Sequence, residues 1–187
     1  MDLLDAHGQA VDVFDRAMHK VGLTDWDSPT PCSEWTVRDL VNHIVVEQLW
    51  VPEVLAGRTV AEVGDKFDGD RLDDDPPSAW QAASDVARSA WLQAGAVDRT
   101  VHLSYGDADA ADYGWQMTTD LTVHGWDLAT ALGADPGIPD ELARAVLSFI
   151  EPQAAALAGT GMFADPVPVP ADAPAGTRLI GLLGRTP

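Results

Sequence analysis

Asp120 and His124 stand four residues apart in the stretch Asp-Leu-Thr-Val-His. On a helix that spacing puts both side chains on one face, one above the other, with Cβ atoms roughly 6 Å apart. A carboxylate and an imidazole so placed can grip one metal ion between them. A third ligand must come from elsewhere, and His43, inside another amphipathic stretch, is the best candidate. Two histidines and one carboxylate leave coordination positions open, which is the arrangement that permits chemistry rather than mere structure. The alternative for the pair is a core histidine hydrogen-bonded to its neighbouring acid.

Other residues fall at useful spacings. Glu47 lies one helical turn after His43 and could be a further ligand, a base acting on a bound molecule, or a solvent-facing acid. Asp127 follows His124 by three residues and could accept a proton, orient the imidazole, or sit at the surface. His7, His19 and His102 have no partner at ligand spacing. Cys32 follows Thr30-Pro31 and is read as a small buried hydrophobe. A nucleophilic thiol there would need a nearby base or cation, and the local sequence offers only Arg38. Among the seven tryptophans, Trp35, Trp50 and Trp126 fall near the proposed ligands and are candidates to line a pocket. No glycine-rich phosphate loop, nucleophile elbow or dinucleotide fingerprint occurs, so a kinase, serine hydrolase or NAD enzyme is unsupported.

The elements that must position these residues are helical. Leu3, Leu4, His7, Val11, Phe14, Met18 and Val21 keep helical spacing and predict a helix near residues 2–21. Thr36, three residues before Asp39, reads as the cap of a second helix that fades near Gly57, with Pro52 bending or ending it. Residues 58–77 read as a long exposed loop; their acidic run Asp68 to Asp75 lacks the ligand spacing of a calcium-binding loop and is taken as a solvated face. A third helix is expected from Ser78, a short extended stretch at Thr100–Ser104, a fourth helix over about 112–132 stopping at Gly133, and a fifth opened by Pro139. After Gly161 the chain turns proline-rich and closes with an apolar piece, Leu179 to Leu183. The fold class that follows is all-α, an up-and-down four-helix bundle with an extra C-terminal helix and a Pro-rich tail, forming one domain over residues 1–187. Bundles build metal sites from inward-facing side chains of facing helices, as His43 and the Asp120–His124 pair would do.

Composition bounds the partners. Thirty acids against 11 bases give a net charge of −19, which repels phosphate backbones and anionic membranes alike. No nucleic acid and no membrane are therefore expected as partners. The N-terminus lacks the basic flank and apolar core of a signal peptide, no apolar run approaches a membrane span, and a single cysteine cannot form an internal disulfide. A soluble cytoplasmic protein is expected; its assembly state is left open, a homodimer included.

Two stretches carry a family resemblance. Thr30-Pro-Cys-Ser-Glu-Trp-Thr-Val-Arg-Asp-Leu-Val-Asn-His43 and Asp120-Leu-Thr-Val-His-Gly-Trp-Asp-Leu128 resemble the two metal motifs of the mycothiol-dependent maleylpyruvate isomerase-like branch of the DinB-like proteins. The ending Leu179-Ile-Gly-Leu-Leu-Gly-Arg185 is similar to the tail of its small single-domain actinobacterial members. The resemblance implies a divalent metal, zinc or nickel, on His43, Asp120 and His124, and a low-molecular-weight thiol such as mycothiol as co-substrate. Asp120 departs from the glutamate that the isomerase carries there, and the isomerase's additional C-terminal domain has no counterpart in these 187 residues. The expected function is that of a metal-dependent thiol S-transferase acting on an electrophilic small molecule, with Glu47 or Asp127 accepting the thiol proton. Hydrolysis by a metal-activated water and a non-catalytic metal- or small-molecule-binding module are the alternatives.

Overall fold

The computed structural model describes residues 1–154 and 163–187; Gly161, after which the proline-rich stretch is expected, lies outside them. Four helices form the bundle: α1 (Leu3–Met18), α2 (Val37–Leu55), α4 (Pro76–Trp91) and α5 (Ala110–Ala131). Helices α1, α2 and α4 begin where a short polar side chain satisfies orphan backbone donors, with prolines opening the first turn of α4. Asp2 caps α1, accepting from the Asp5 amide. Thr36 and Asp39 close the expected reciprocal capping box on α2. Asp75 caps α4 with prolines in its first turn, so that helix starts two residues before the expected Ser78.

The helices pair as α1 on α5 and α2 on α4, with α2 also meeting α5. The α1–α5 crossing is close because Gly125 has no side chain. A Cβ there would lie 2.8 Å from Val13 Cγ1 and 3.2 Å from the Phe14 backbone nitrogen. Glycine at this point brings α1 against the turn of α5 that also carries His124. The core is continuous through this contact, with Phe14, Leu40, Ile44, Leu121 and Leu128 fully buried. Two further helices, α6 (Asp140–Ile150) and α7 (Ala175–Leu182), pack on each other, and α6 leans on α5. The closing apolar piece is thus part of a helix, with Leu179, Ile180 and Leu183 buried. Among the described residues, no helix is long and apolar enough to cross a membrane.

Two expectations change. Helix α2 runs through Pro52 and stops at Leu55, because Val54 and Leu55 beyond the proline are buried and hold its last turn. The segment 58–77 is not simply an exposed loop. It contains a one-turn helix, α3 (Val60–Val63), and buries Val63, Phe67 and Leu72. Arg38 pairs with Asp70, and the Asn42 side chain bonds the Gly69 carbonyl and the Arg71 amide, pinning the segment to α2. Isolated apolar residues among acids carry no periodicity, which is why a helical reading missed them. The extended stretch expected at Thr100–Ser104 is strand β1 (Thr100–Leu103), which pairs with β2 (Gly106–Asp109) in an antiparallel hairpin leading straight into α5.

His7 is sealed in the bundle at 1% exposure, its Nε2 without a hydrogen-bond partner among the described residues. Burial, reinforced by the Arg88 guanidinium, pushes its pKa down to about 3. The unfolded chain therefore binds a proton that the native state refuses, and stability is lost as pH falls from about 6.5 towards 3. Urea unfolding at pH 7 and pH 4 should show roughly 3 kcal/mol more acid destabilisation in wild type than in His7→Gln. Equal losses in the two proteins would contradict this.

Candidate metal centre

The site lies where the first half of α2 faces the middle of α5. His43 Nε2 is 3.0 Å from Asp120 Oδ2, and His124 Nε2 is 3.5 Å from Asp120 Oδ1. One ligand atom from each of the three residues falls within 4.8 Å of the other two. Two donors bound to one ion at about 2.1 Å and 90–110° stand about 3.0–3.4 Å apart; the His43–Asp120 separation falls in that range and the His124–Asp120 separation just outside it, so the group could hold a single divalent ion. Two imidazoles and a carboxylate also suit zinc and nickel chemically. The three residues expected to converge are therefore brought together.

The electrostatics follow from packing carboxylates and imidazoles in a partly dry place. Burial alone would raise the Asp120 pKa, but His124 and His43 beside it hold it far below the usual carboxylate range. Burial would lower the His124 pKa, yet Asp120 on one side and Asp127 and Cys32 on the other raise it well above its ordinary value. Glu47, on the same wall as His43, has its pKa raised by burial and then by the Asp120 charge.

The other face of His124 holds a group of residues far apart in sequence. Its Nδ1 lies 3.0 Å from Asp127 Oδ2. Asp127 is fully buried, and Arg185 clamps both its oxygens, at 3.2 Å from Nε and 2.8 Å from Nη2. Asp127 is thus neither a surface acid nor a group facing the cavity. Burial raises its pKa, but the bonds to His124 and Arg185 bring it below the usual value. It fixes the His124 ring so that Nε2 points at Asp120.

Cys32 joins the same group and is half-buried rather than a core hydrophobe. Its Sγ donates to Asp127 Oδ2 at 3.3 Å, accepts from Arg185 Nη2 at 3.1 Å and lies 3.8 Å from His124 Nδ1. Cys32, His124 and Asp127 form a second set at ligand spacing. The guanidinium already occupies two of those three acceptors, which opposes a cation there and leaves the Nε2 side as the candidate metal position.

Local structure delivers these groups. Thr30 bonds the carbonyls of Cys32 and Trp35, folding the loop before α2 so that Trp35 packs at a tilt 4.8 Å from the His43 ring and 5.6 Å from that of His124. Trp50 packs instead on Phe67, and Trp126 against the main core. Arg185 arrives because the chain turns after α7 at Gly184, with φ +82°, where a Cβ would meet the Ala164 carbonyl oxygen at 2.6 Å. Sequence reading missed Arg185 as a partner of Cys32 and Asp127 and considered only Arg38, which is engaged with Asp70. Its only signal was the family-like ending that contains it.

Replacing Arg185 by Met strands a buried carboxylate and should destabilise the protein by about 3–5 kcal/mol in urea unfolding. Asp127→Asn combined with Arg185→Met should recover much of that loss, because the orphaned charge is gone. Additive losses in the double variant would show that the pair does not act as a unit.

Known proteins can be compared on this geometry. The family model described as mycothiol maleylpyruvate isomerase N-terminal domain matches residues 7–129, more than half of the chain and all three candidate ligands. Two uncharacterized proteins of Mycobacterium tuberculosis, from strains CDC 1551 / Oshkosh and ATCC 25618 / H37Rv, are 47% identical over 45 residues, 24% of this chain and 25% of each of them. The crystal structures of the mycothiol-dependent maleylpyruvate isomerase and of a histidine-to-alanine mutant of it share the fold, with TM-score 0.60 at 15% identity. The match covers 76% of this chain and 65% of the isomerase, so this chain corresponds to less than two thirds of that protein. By the extent of the family match and the shared helical bundle, the chain belongs to the mycothiol maleylpyruvate isomerase N-terminal domain family.

Proposed function

We propose that this protein is an enzyme that binds a divalent metal, zinc or nickel, through His43, Asp120 and His124 and activates a low-molecular-weight thiol such as mycothiol for attack on an electrophilic small molecule. The observation that carries the reading is the convergence of three ligand atoms beside a cavity of about 670 Å³ whose lining includes His43, Glu47 and Asp120. When bound, the ion supplies Lewis-acid chemistry, favouring the thiolate over the thiol, whose free pKa is about 8.5.

The chain's own residues do the rest. Asp127, clamped by Arg185, keeps His124 in one orientation and leaves Nε2 free to ligate. Trp35 covers both imidazoles and limits water around them. Glu47 accepts the thiol proton; burial and the Asp120 charge make it a stronger base than an ordinary carboxylate. Attack on an unsaturated carbon has two outcomes. If the new carbon–sulfur bond persists, the product is a thiol conjugate and the reaction is transfer. If the thiolate leaves again after bond rotation, the product is an isomer, the reaction named for the solved relative. Both begin with the same attack, and the family membership supports the thiol in either case.

Metal analysis of protein purified without a metal-affinity tag should find about one equivalent in wild type and none in His124→Ala. A wild type that arrives empty and refuses added zinc and nickel would sink the reading. Zinc affinity should also rise between pH 6 and pH 8. Asp120 holds a proton on His124 above its ordinary pKa, and that proton must leave before Nε2 can ligate. An affinity independent of pH over that range would remove His124 from the ligand set.

A further inference from the structure

The cavity beside the candidate metal centre has a chemistry of its own. Its far walls are apolar or aromatic: Met117 from α5, Phe149 from α6, Phe163, and Tyr105 from the turn of the hairpin. Phe149 stacks on Trp115 at 6.0 Å between ring centroids, which gives that wall a fixed flat face. Its uncharged hydrogen-bonding groups include Gln116 and Gln153. Tyr105 reaches over to Gln116, with its hydroxyl 2.7 Å from Nε2 and 3.1 Å from Oε1.

The charges in the lining are all negative: Glu47, Asp112 and Asp120. No lysine or arginine lines the cavity among the described residues, and residues 155–162 contain neither in the sequence. Basic side chains elsewhere are committed, Arg178 to Glu151, Arg144 to Asp140 and Arg185 to Asp127. A bound divalent ion would be balanced by Asp120 and, once Glu47 has taken the thiol proton, by the thiolate, which leaves no net positive charge there. A substrate carboxylate entering the same space would then meet no cation and would face Asp112 as well. Di-acids are normally held by arginine or lysine, whose planar or point charge matches the carboxylate.

We propose that the electrophile accepted by this cavity is uncharged and aromatic or otherwise apolar, and that di-acids are excluded. The proposal rests on the thiol-activating reading and narrows its substrate class. The substrate named for the solved relative, maleylpyruvate, is a dicarboxylate at neutral pH and falls on the excluded side. The flat Phe149 face would take the ring, and the Gln116 and Gln153 amides would bond its neutral polar groups.

A matched pair of unreactive probes tests this: dimethyl phthalate, neutral, and phthalate, its dianion. Calorimetric titration into zinc-loaded protein saturated with mycothiol should show the ester binding at least about tenfold more tightly than the dianion. Gln116→Arg, which adds a cation to the half-buried wall without touching a ligand, should narrow or reverse that ratio. Equal affinities, preference for the dianion, or no binding of the ester would overturn the proposal. Zinc and mycothiol binding are measured on the same sample before either phthalate is added. Their failure would sink the thiol-activating reading, whereas their success with a preferred dianion would sink the substrate class alone.

Discussion

Asp127 is a fully buried carboxylate, and its charge is tolerable only because Arg185 and His124 share its oxygens. A buried ion pair seldom adds much stability over apolar packing, but it is intolerant of a missing partner. That intolerance gives it a structural consequence here. It ties three distant parts of the chain to one histidine ring: the loop before α2 through Cys32, helix α5 through Asp127 and the tail after α7 through Arg185. The ring cannot turn without breaking a bond to a charged group. His124 Nε2 is thereby presented to Asp120, and Asp120 to His43, as a chain of polar groups running from the core to the cavity. Each member depends on its neighbours, which is how buried polar networks impose one arrangement.

Helix packing sets the scale of that chain. Gly125 lets α1 close against α5, and the same turn carries His124. The opposite side of α5 meets α2, so the site occupies a seam between two helices that the bundle holds rigidly. The hairpin and α6 lie beyond the seam and contribute Tyr105 and Phe149 to the cavity. The walls of the candidate site thus have different origins. The bundle supplies the titratable groups, and the added elements supply a neutral, largely apolar surface. A site built this way can keep its ligand set while the hairpin and α6 alter what enters.

Much of this was legible before any coordinates. The four-residue spacing of Asp120 and His124 and the helical period around them already placed both on one face. His43 emerged because it sits in a capped, amphipathic segment. The Thr36–Asp39 box marked the start of that helix to the residue. Other features were not legible, each for a physical reason. Val63, Phe67 and Leu72 are buried singly within an acidic run, so no periodicity betrayed them. Asp127 had three plausible environments from sequence and acquired one only when Arg185 was found against it. Cys32 lies 92 residues from His124 and 153 from Arg185, distances over which local pattern carries no information.

The sequence by itself determined the helical class, the ligand types and the pairing of Asp120 with His124. These depend on intervals of three and four residues, which a helix converts into neighbouring positions whatever the rest of the chain does. Tertiary structure brought His43, the candidate the sequence offered, against Asp120 and decided which acid is buried. It also decided that the tail's arginine stands behind the ligand and that the cavity beside it carries no cation among the described residues. Those outcomes depend on how helices cross and where a loop turns back, as at Gly125 and Gly184. They follow from packing contacts between segments far apart in the chain, which residue spacing does not encode.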